Sequence, residues 1–490
     1  MSGWRLLPFA LLVISLGACA HAGLGQGRAD GFVAVETRHF ALYTDLAADR
    51  AGEQARRLEE LLFALQETGW ESTGDLPLKM NVIMFADQRD FVRFAGDDVA
   101  GFAVSEALFE PWMVLPAPRF GDDYGVVAHE LTHVMSYQSI MNMPSWLSEG
   151  LATYFESAHF HVDGSFQVGA VPKRHQRWLQ YGWDLPSDLL SGRARETDLR
   201  FYASSWLFVH FLMTQHADAF VAFQDQLARG LDARAAWQRA FPTLSGDALD
   251  EAVVDYARAG MYESALFELR SLEDVPLSTR PLSAADQHAL FALLWTHGPD
   301  RPAEKRAQAA VELRAAIAAE PYNVWGATLD IMQDLALHPM ELTRAQALVD
   351  AHPEHWLSWL VLGMSALRSG QLPELSRDPA RDPGAQAVRL APRQPYALAL
   401  QALTAAARRE TAFALTQAKA AQRLQPTNPR LMQLRGAVLE AVDASAELGE
   451  LVGQVQDNAH ATNVPQIRRE LEQRLARCQA KIAAQSAPAP

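Results

Sequence analysis

Residues 128–133 read AHELTH and place two histidines, His129 and His133, four positions apart, with Glu130 directly after the first. On an α-helix, residues four apart lie on one face about one turn apart, so both imidazoles can point at the same ion. Glu130 projects from a neighbouring angle, where a carboxylate could take a proton from a metal-bound water. Apolar residues flank the trio, which predicts a largely buried helix whose histidines need partners. A core histidine whose hydrogen bonds are satisfied would explain one such residue. It does not readily explain two histidines and a glutamate in register. The stretch therefore predicts a metal site with its own general base.

A catalytic zinc ion takes three protein ligands and keeps a fourth position open for water. The candidates for the third ligand downstream of the motif are His159, His161, Asp163 and Glu149. Glu149 is the best placed, because it lies sixteen residues after His133 on a second predicted helix that follows a short turn. A helical pair of that length can fold back on itself and deliver the carboxylate to the same ion.

Apolar periodicity divides the first half of the chain into short strands and helices. Residues 32–43 predict a pair of strands or one long bent strand, and residues 78–85 and the segment WMVL at 112–115 predict two more. Helical spacing predicts helices at about 47–68, 87–94, 123–138, 144–157, 201–215, 217–227 and 245–259. The pattern indicates a small α+β unit that leads into a helical one.

From about residue 280 the chain becomes rich in alanine and leucine, with prolines that recur after predicted helix ends. Pro321, Pro353, Pro392 and Pro426 are spaced by 32, 39 and 34 residues. A helix end, a proline and a new helix at such a period resemble tetratricopeptide-type helical hairpins. The small and aromatic positions within each unit are irregular, so an unspecific α-helical bundle stays as the alternative.

The net charge and the N-terminal segment indicate which kinds of partner and which cellular location to expect. The chain has 43 basic and 58 acidic residues, a net charge of −15, which argues against a nucleic-acid partner. The apolar run from Leu6 to Leu16 follows Arg5 and is too short to span a bilayer, so it predicts a signal peptide.

Leu16-Gly17-Ala18-Cys19 resembles the bacterial lipobox, which implies lipidation of Cys19 and a membrane anchor. Since Ala20 follows the cysteine, the resemblance points to an outer-membrane lipoprotein of a Gram-negative cell envelope, facing the periplasm. Plain secretion is the alternative. The other cysteine, Cys478, is expected to be a surface thiol.

The segment VVAHELTHVMSYQ at 126–138, followed by MPSWLSEGLATYFE at 143–156, resembles the gluzincin metallopeptidases, in particular the bacterial peptidase MA-like group. The second helix of that group carries a similar Trp-Leu-x-Glu-Gly-x-Ala segment, and the resemblance runs from about residue 32 to 227. It implies a zincin-like α+β domain and one Zn2+ per chain. Carried over to this sequence, the zinc ligands are His129, His133 and Glu149, and Glu130 activates water.

Two further positions on the second helix, Thr153 and Glu156, are candidates for orienting the histidine N–H groups, and either could instead belong to a solvated helix face. Tyr202, in RFYASSWLFVHFL at 200–212, occupies the place where this family has a tyrosine whose phenol can donate to the oxyanion. A packing aromatic is the alternative for Tyr202, and His210 is a weaker candidate donor.

The WMVL strand would resemble the edge strand on which these enzymes lay an extended peptide. The Gly-x-Met-Glu-Asn segment of the aminopeptidase relatives does not occur in the expected region, where AGFAVSEALF stands instead, so the resemblance favours an endopeptidase. The basic fragment VPKRHQRW at 171–178 is expected to be a solvated turn, and contact with an anionic partner is the alternative.

Taken together, the sequence predicts five segments: a lipoprotein signal peptide at 1–18, a linker at 19–31, a gluzincin-like domain at 32–270, tetratricopeptide-like repeats at 280–480 and a disordered tail at 481–490. The predicted function is that of a membrane-anchored zinc metallopeptidase in the periplasm, with a peptide or protein substrate and a protein partner at the repeats. The main alternative is a lipoprotein interaction scaffold whose metal site is structural or inactive. A repeat scaffold without any metal would leave His129 and His133 buried without partners.

Overall fold

The computed structural model describes residues 31–69, 76, 78–118, 124–140, 143–195, 198–244, 246–268, 275–299, 303–334, 342–426, 428–457 and 464–486. The strands within them are β1 (Val33–Glu36), β2 (Phe40–Thr44), β3 (Met80–Phe85), β4 (Phe102–Ala107), β5 (Glu110–Pro116), β6 (His159–Phe160), β7 (Ser165–Val168), β8 (Ala265–Glu268) and β9 (Ser278–Pro281). The predicted signal peptide, Cys19 and the linker up to residue 30 lie outside the described residues.

Helices make up most of the remaining described chain. In the N-terminal half these are α1 (Ala48–Gly69), α2 (Gln88–Ala95), α3 (Gly125–Ser139), α4 (Ser145–Phe155), α5 (Gln176–Tyr181), α6 (Pro186–Leu190), α7 (Leu199–Gln215), α8 (Ala217–Ala228), α9 (Ala233–Ala240) and α10 (Asp247–Ala259). The later helices are α11 (Ala284–His297), α12 (Ala303–Ala319), α13 (Val324–Asp334), α14 (Leu342–Ala351), α15 (Trp356–Arg368), α16 (Leu372–Leu375), α17 (Pro383–Leu390), α18 (Pro395–Ala407), α19 (Thr411–Leu424), α20 (Pro429–Ala441), α21 (Ser445–Asp457) and α22 (Val464–Ser486). The protein is thus an N-terminal α/β region followed by many helices, and the strands and helices predicted from periodicity are confirmed.

A mixed six-stranded sheet in the order β4-β5-β3-β2-β1-β9 organises the N-terminal region. Strands β2, β3 and β5 run parallel, while β1, β9 and β4 pair antiparallel to their neighbours. The WMVL segment therefore lies inside the sheet, between β4 and β3, and its prediction as the edge strand is wrong. Among the described strands the edge beside it is β4, because the chain turns back after Ala107 and places β5 between β4 and β3.

The two faces of this sheet bury different helices. Alternate strand residues face α1, α3, α4 and α7, where they form one apolar core: Val35, Phe40, Leu42, Val82, Met84, Met113 and Leu115. The residues between them face α2 and α11–α13 in a second core: Ala34, Ala41, Tyr43, Ile83, Phe85, Trp112 and Val114. Trp325 of α13 packs edge-on against Tyr43 at a ring separation of 5.1 Å. The division between 32–270 and 280–480 stays a prediction, but β9 and α11–α13 share the sheet and its core with the first segment.

The later helices pack in pairs along the chain, which we call the helical hairpins: α11 with α12, α13 with α14, α15 with α17, α18 with α19 and α20 with α21. The four recurring prolines lie in the connections that lead into α13, α15, α18 and α20. Polar side chains cap the first turns of these helices. Asn428, for example, accepts hydrogen bonds from the N–H groups of Arg430 and Leu431 at 2.9 and 3.2 Å. The predicted succession of helix end, proline and new helix is confirmed.

The C-terminal helix α22 differs from two expectations. It continues to Ser486, so the first part of the predicted disordered tail is helical, and the Lys481 ammonium lies 2.8 Å from the Asp443 carboxylate. Cys478 is buried rather than exposed, because it shares one helix face with Ile467 and Leu471, which pack against α20 and α21. Residues 487–490 lie outside the description. Within the described chain, no helix combines the length and the apolar character needed to cross a bilayer.

Two residues at the tip of the β4–β5 hairpin have an unusual backbone. Ala107 pairs with Glu110, so Leu108 and Phe109 alone make the turn, with φ of 50° and 67°. Two-residue turns of this type are usually Asn-Gly, since each non-glycine residue in the left-handed region costs roughly 1–2 kcal/mol. The side chains of both residues pack against the later helices, which offsets that cost.

Gly150 allows α4 to approach α7 closely. A Cβ at this position would lie 2.5 Å from Val209 Cγ2 and 2.6 Å from the carbonyl oxygen of Ser205. Both neighbours belong to α7, and the carbonyl oxygen cannot move without the helix.

We expect Gly150→Ala to lower the free energy of unfolding by about 1–3 kcal/mol, because the added methyl group forces α4 and α7 apart. Urea denaturation followed by circular dichroism measures this. Gly453→Ala on α21 is the matched control, because nothing lies within 4 Å of its added Cβ. Equal denaturation midpoints for the two variants would contradict the close packing.

Candidate metal centre

The two helices that carry the motif residues pack against each other in the apolar core below the sheet. Helix α3 is buried along most of its length, and its two internal hydroxyls are satisfied within the helix: Thr132 Oγ1 donates to the carbonyl of Ala128 and Ser136 Oγ to that of Thr132, each at 2.7 Å. Gln138 accepts a hydrogen bond from the N–H of Leu78 at 3.0 Å and so fixes the end of α3 beside β3. The helix therefore has a set rotation, which decides where its histidines point.

His129, His133 and Glu149 converge on one point. The Nε2 atoms of the two histidines are 3.3 Å apart, and each lies 3.5 Å from Glu149 Oε2. Within the described residues, these three form the one group of histidine, cysteine or carboxylate side chains that could hold a metal ion. A tetrahedral zinc ion with bonds of about 2.0–2.1 Å requires ligand atoms about 3.3–3.4 Å apart. The observed spacing and the two-nitrogen, one-oxygen donor set fit such an ion.

A second observation supports the fit. Glu149 Oε2 is buried and accepts no hydrogen bond from the described residues. A buried carboxylate oxygen without a donor is costly, and a cation at the point it faces would remove that cost.

The outer nitrogen of each histidine meets a polar side chain. Nδ1 of His133 lies 3.1 Å from Ser148 Oγ, and Nδ1 of His129 lies 3.3 Å from Glu156 Oε2. Arg174 pairs in turn with the Glu156 carboxylate. Partners of this kind orient histidine ligands and fix which ring nitrogen is free to bind a metal.

The charges of the cluster favour a positive charge at its centre. Burial would lower the pKa of His129, but the adjacent carboxylates of Glu149 and Glu156 raise that pKa to about 10. Burial also works against ionisation of Glu149, yet the two imidazoles hold the pKa of its carboxyl group well below the usual range. The same field that favours a proton on His129 would favour a metal cation between these side chains.

Glu130 lies on the same helix but outside the ligand triangle. Burial raises the pKa of its carboxyl group, although the two imidazoles oppose this. A carboxylate with a raised pKa is a stronger base near neutral pH. Gly101, the residue before β4, lies against it: a Cβ on Gly101 would be 2.9 Å from Glu130 Cγ and 3.2 Å from its Oε1.

The remaining candidates lie further out. Thr153 is fully buried, and its hydroxyl has no hydrogen-bond partner in the described part of the chain, so the structure does not bring it to either histidine. Tyr202 lies on α7 with its ring parallel to that of His175 at 6.3 Å. Its role as an oxyanion donor stays a prediction. His210 lies within hydrogen-bond distance of the Tyr256 hydroxyl, at 2.7 Å.

The other predicted alternatives for the third ligand are not in the cluster. His161 lies 3.1 Å from the side chain of Gln167, and Asp163 accepts hydrogen bonds from Ser165. His159 is exposed.

Sequence reasoning missed four residues around the centre. Ser148 directly precedes Glu149, and Tyr137 lies one turn after His133 with its ring stacked on that imidazole at 6.2 Å. Arg174 and the buried His175 belong to the basic fragment that was expected to be a solvated turn. That expectation holds for Lys173, Gln176 and Arg177, which are exposed, but Arg174 folds back onto Glu156 and His175 is buried. The helical period could have revealed Tyr137, whereas the contact of Arg174 depends on the tertiary fold.

Comparison with known families gives one match. A family model with the description "Protein of unknown function (DUF1570)" matches residues 123–231, which span α3 to α8 and include His129, His133 and Glu149. No curated protein and no solved structure matches the chain.

Replacing Glu156 tests its contact with His129. We expect Glu156→Gln to weaken zinc binding by about 10- to 100-fold, since the neutral amide holds the imidazole less strongly in its ligand orientation. Competition titration against a chromophoric chelator measures the affinity. Asp188→Asn is the matched control, because the Asp188–Arg193 pair lies at the surface. An affinity equal to that of the control would show that Glu156 does not support the centre.

Proposed function

We propose that this chain is a membrane-anchored, zinc-dependent metallopeptidase that cleaves peptide bonds in the periplasm, most simply as an endopeptidase. The observation that carries the proposal is the mostly buried triangle of His129, His133 and Glu149, whose ligand atoms have tetrahedral spacing, with Glu130 beside it. Histidine and carboxylate ligands with a neighbouring glutamate are the parts that metal-assisted hydrolysis requires.

In the proposed reaction, each residue of the site would have a separate role. His129, His133 and Glu149 would hold the metal, with His129 and His133 steadied by Glu156 and Ser148. A bound zinc ion would supply the Lewis acidity that makes a water molecule nucleophilic near neutral pH. Glu130 Oε1 would accept a proton from the attacking water and pass it to the leaving nitrogen.

The fold supports the same assignment. The mixed sheet with the α3–α4 pair below it supports a zincin-like domain, and the helical hairpins support tetratricopeptide-like repeats. Strand β4 is the edge beside Glu130, through Gly101, and an extended substrate could pair with it backbone to backbone. The lipobox-like segment ending at Cys19 supports the membrane anchor, and that part of the proposal rests on sequence alone.

Metal content and activity test the proposal together. We expect about one zinc per full-length chain by mass spectrometry, and a sharp loss of zinc in His133→Ala and Glu149→Ala, because three ligands are needed to hold the ion. Glu130→Gln should keep the zinc and lose proteolysis of unfolded casein, since Glu130 is outside the triangle. Zinc that is retained without any proteolysis would instead favour an interaction lipoprotein with a structural metal site. Absence of zinc from folded protein would refute the enzyme.

The contact between Gly101 and Glu130 gives a second test. We expect Gly101→Ala to lower the rate of casein cleavage by about 10- to 100-fold, because a displaced base is poorly aligned with the water. Zinc content should not change. The control is Gly449→Ala on α21, where nothing lies within 4 Å of the added Cβ. Normal activity in Gly101→Ala would mean that this contact does not position the base.

A further inference from the structure

The β4–β5 hairpin inserts one carboxylate into the later helices. Glu106, near the end of β4, has only 13% of its side chain exposed. The Tyr396 hydroxyl donates a hydrogen bond to its Oε1, and Asn428 Nδ2 donates to the same atom at 3.1 Å. Arg430 Nη1 lies 3.1 Å from Oε2. Three polar side chains from the start of α18 and of α20 thus hold a single carboxylate from the sheet.

The tip of the same hairpin is held at a second point. Phe109 is 7% exposed, and its ring meets that of Tyr396 at a centroid separation of 4.9 Å. Gln394 Nε2 donates to the Phe109 carbonyl at 3.3 Å. We call these contacts the hairpin clasp: Glu106 and Phe109 on one side, and Gln394, Tyr396, Asn428 and Arg430 on the other.

The backbone of the turn indicates that the clasp shapes the hairpin. Leu108 and Phe109 both have positive φ, although neither is a residue that favours this region. Strained residues persist where the surroundings over-determine their conformation, and they cluster at sites with a function. Here the surroundings are the helices of the clasp, since Leu108 and Phe109 both pack into their core.

The strand that leads into the clasp also reaches the metal centre. β4 begins directly after Gly101, whose backbone lies against Glu130, and ends beside Glu106. Among the described residues β4 pairs only with β5, and its register with β5 shifts between Val104 and Ala107. Its placement therefore depends on support from outside the sheet.

We propose that helices α18 and α20, through the contacts of the hairpin clasp, bind Glu106 and Phe109 of the same chain and so hold edge strand β4 in place beside the candidate metal centre. We call this action of the two helices the clamp. Glu106 and Phe109 are then positioning residues, which act through β4. The consequence for substrate binding rests on the proposed peptidase function, whereas the clamp itself does not.

Hydrogen–deuterium exchange of the full-length protein in detergent tests the clamp directly. We expect amides 102–107 to exchange about tenfold faster in Glu106→Gln and in Phe109→Ala, because local opening of β4 becomes easier. Zinc content should stay that of the wild type. Glu440→Gln is the matched control, since Glu440 is also a partly buried carboxylate held by two arginines, Arg474 and Arg477, but lies away from the hairpin. Unchanged exchange of these amides in both hairpin variants would overturn the proposal.

A combined variant protects the test against misfolding. Leu108→Asn with Phe109→Gly, made in the Glu106→Gln protein, supplies residues that suit the left-handed turn, so the hairpin itself should form without the side-chain packing of its tip and without the ion pair to Arg430. We expect β4 to exchange faster in this protein as well. Slow exchange would show that the sheet alone holds the strand, and would refute the clamp.

Kinetics separates positioning from simple stability. If wild-type protein cleaves casein, the hairpin variants should raise KM by about fivefold with little change in kcat, because a looser edge strand binds substrate less well while the base and ligands stay in place. An unchanged KM together with faster exchange would refute the positioning role. If the wild type is inactive, the proposed peptidase function fails, and the exchange of β4 still decides whether the clamp exists.

Discussion

Two buried imidazoles, the buried Glu130 and the partly buried Glu149 and Glu156 meet between α3 and α4, and this arrangement constrains the structure around it. Charged groups removed from water are costly unless each has a partner, so α4 must lie close enough for Glu149 to face both histidines and for Glu156 to reach His129. The close packing of α4 on α7 at Gly150 fixes that distance from the other side. The glycine next to Glu149 therefore has a geometric reason, independent of any chemistry. The cluster and the helix packing determine each other.

The sheet connects this cluster with the later helices, because it packs against helices from both parts of the chain. Its lower face packs on α1, α3, α4 and α7, and its upper face on α2 and α11–α13, so both halves of the protein share one set of strands. Strand β9 completes the sheet beside β1 even though it follows α10 by many residues. The β4–β5 hairpin extends from this sheet into α18 and α20. The candidate metal centre and the helical hairpins are consequently packed on the same sheet and linked through β4.

The sequence predicts the metal centre better than its surroundings, and the reason lies in the range of the interactions. His129, His133 and Glu130 are related by the helical period, and Glu149 lies on the next helix after a short connection. Helix geometry and chain proximity therefore place all four together. Glu156 was predicted for the same reason. Arg174 reaches Glu156 only because the chain folds back through β6 and β7, and no spacing rule indicates that contact. The position of β4 at the sheet edge was missed likewise, since strand order depends on the whole fold. Cys478 was misassigned because charged neighbours suggested a surface, whereas the apolar stripe on α22 points inward.

The turn at Leu108 and Phe109 is the place where local preference and final structure disagree most. Asn-Gly would form this turn without strain, yet the chain has two large apolar residues, and both pack against the later helices. A local rule broken in this way favours a tertiary role for the residues that break it. That role bears on the alternative in which the repeats recruit a protein partner. Tyr396 and Asn428 are buried and engaged by Glu106, so this surface is covered while the hairpin stays in place. A partner at the repeats would have to bind elsewhere or displace the hairpin, and displacement would also release the strand beside Glu130.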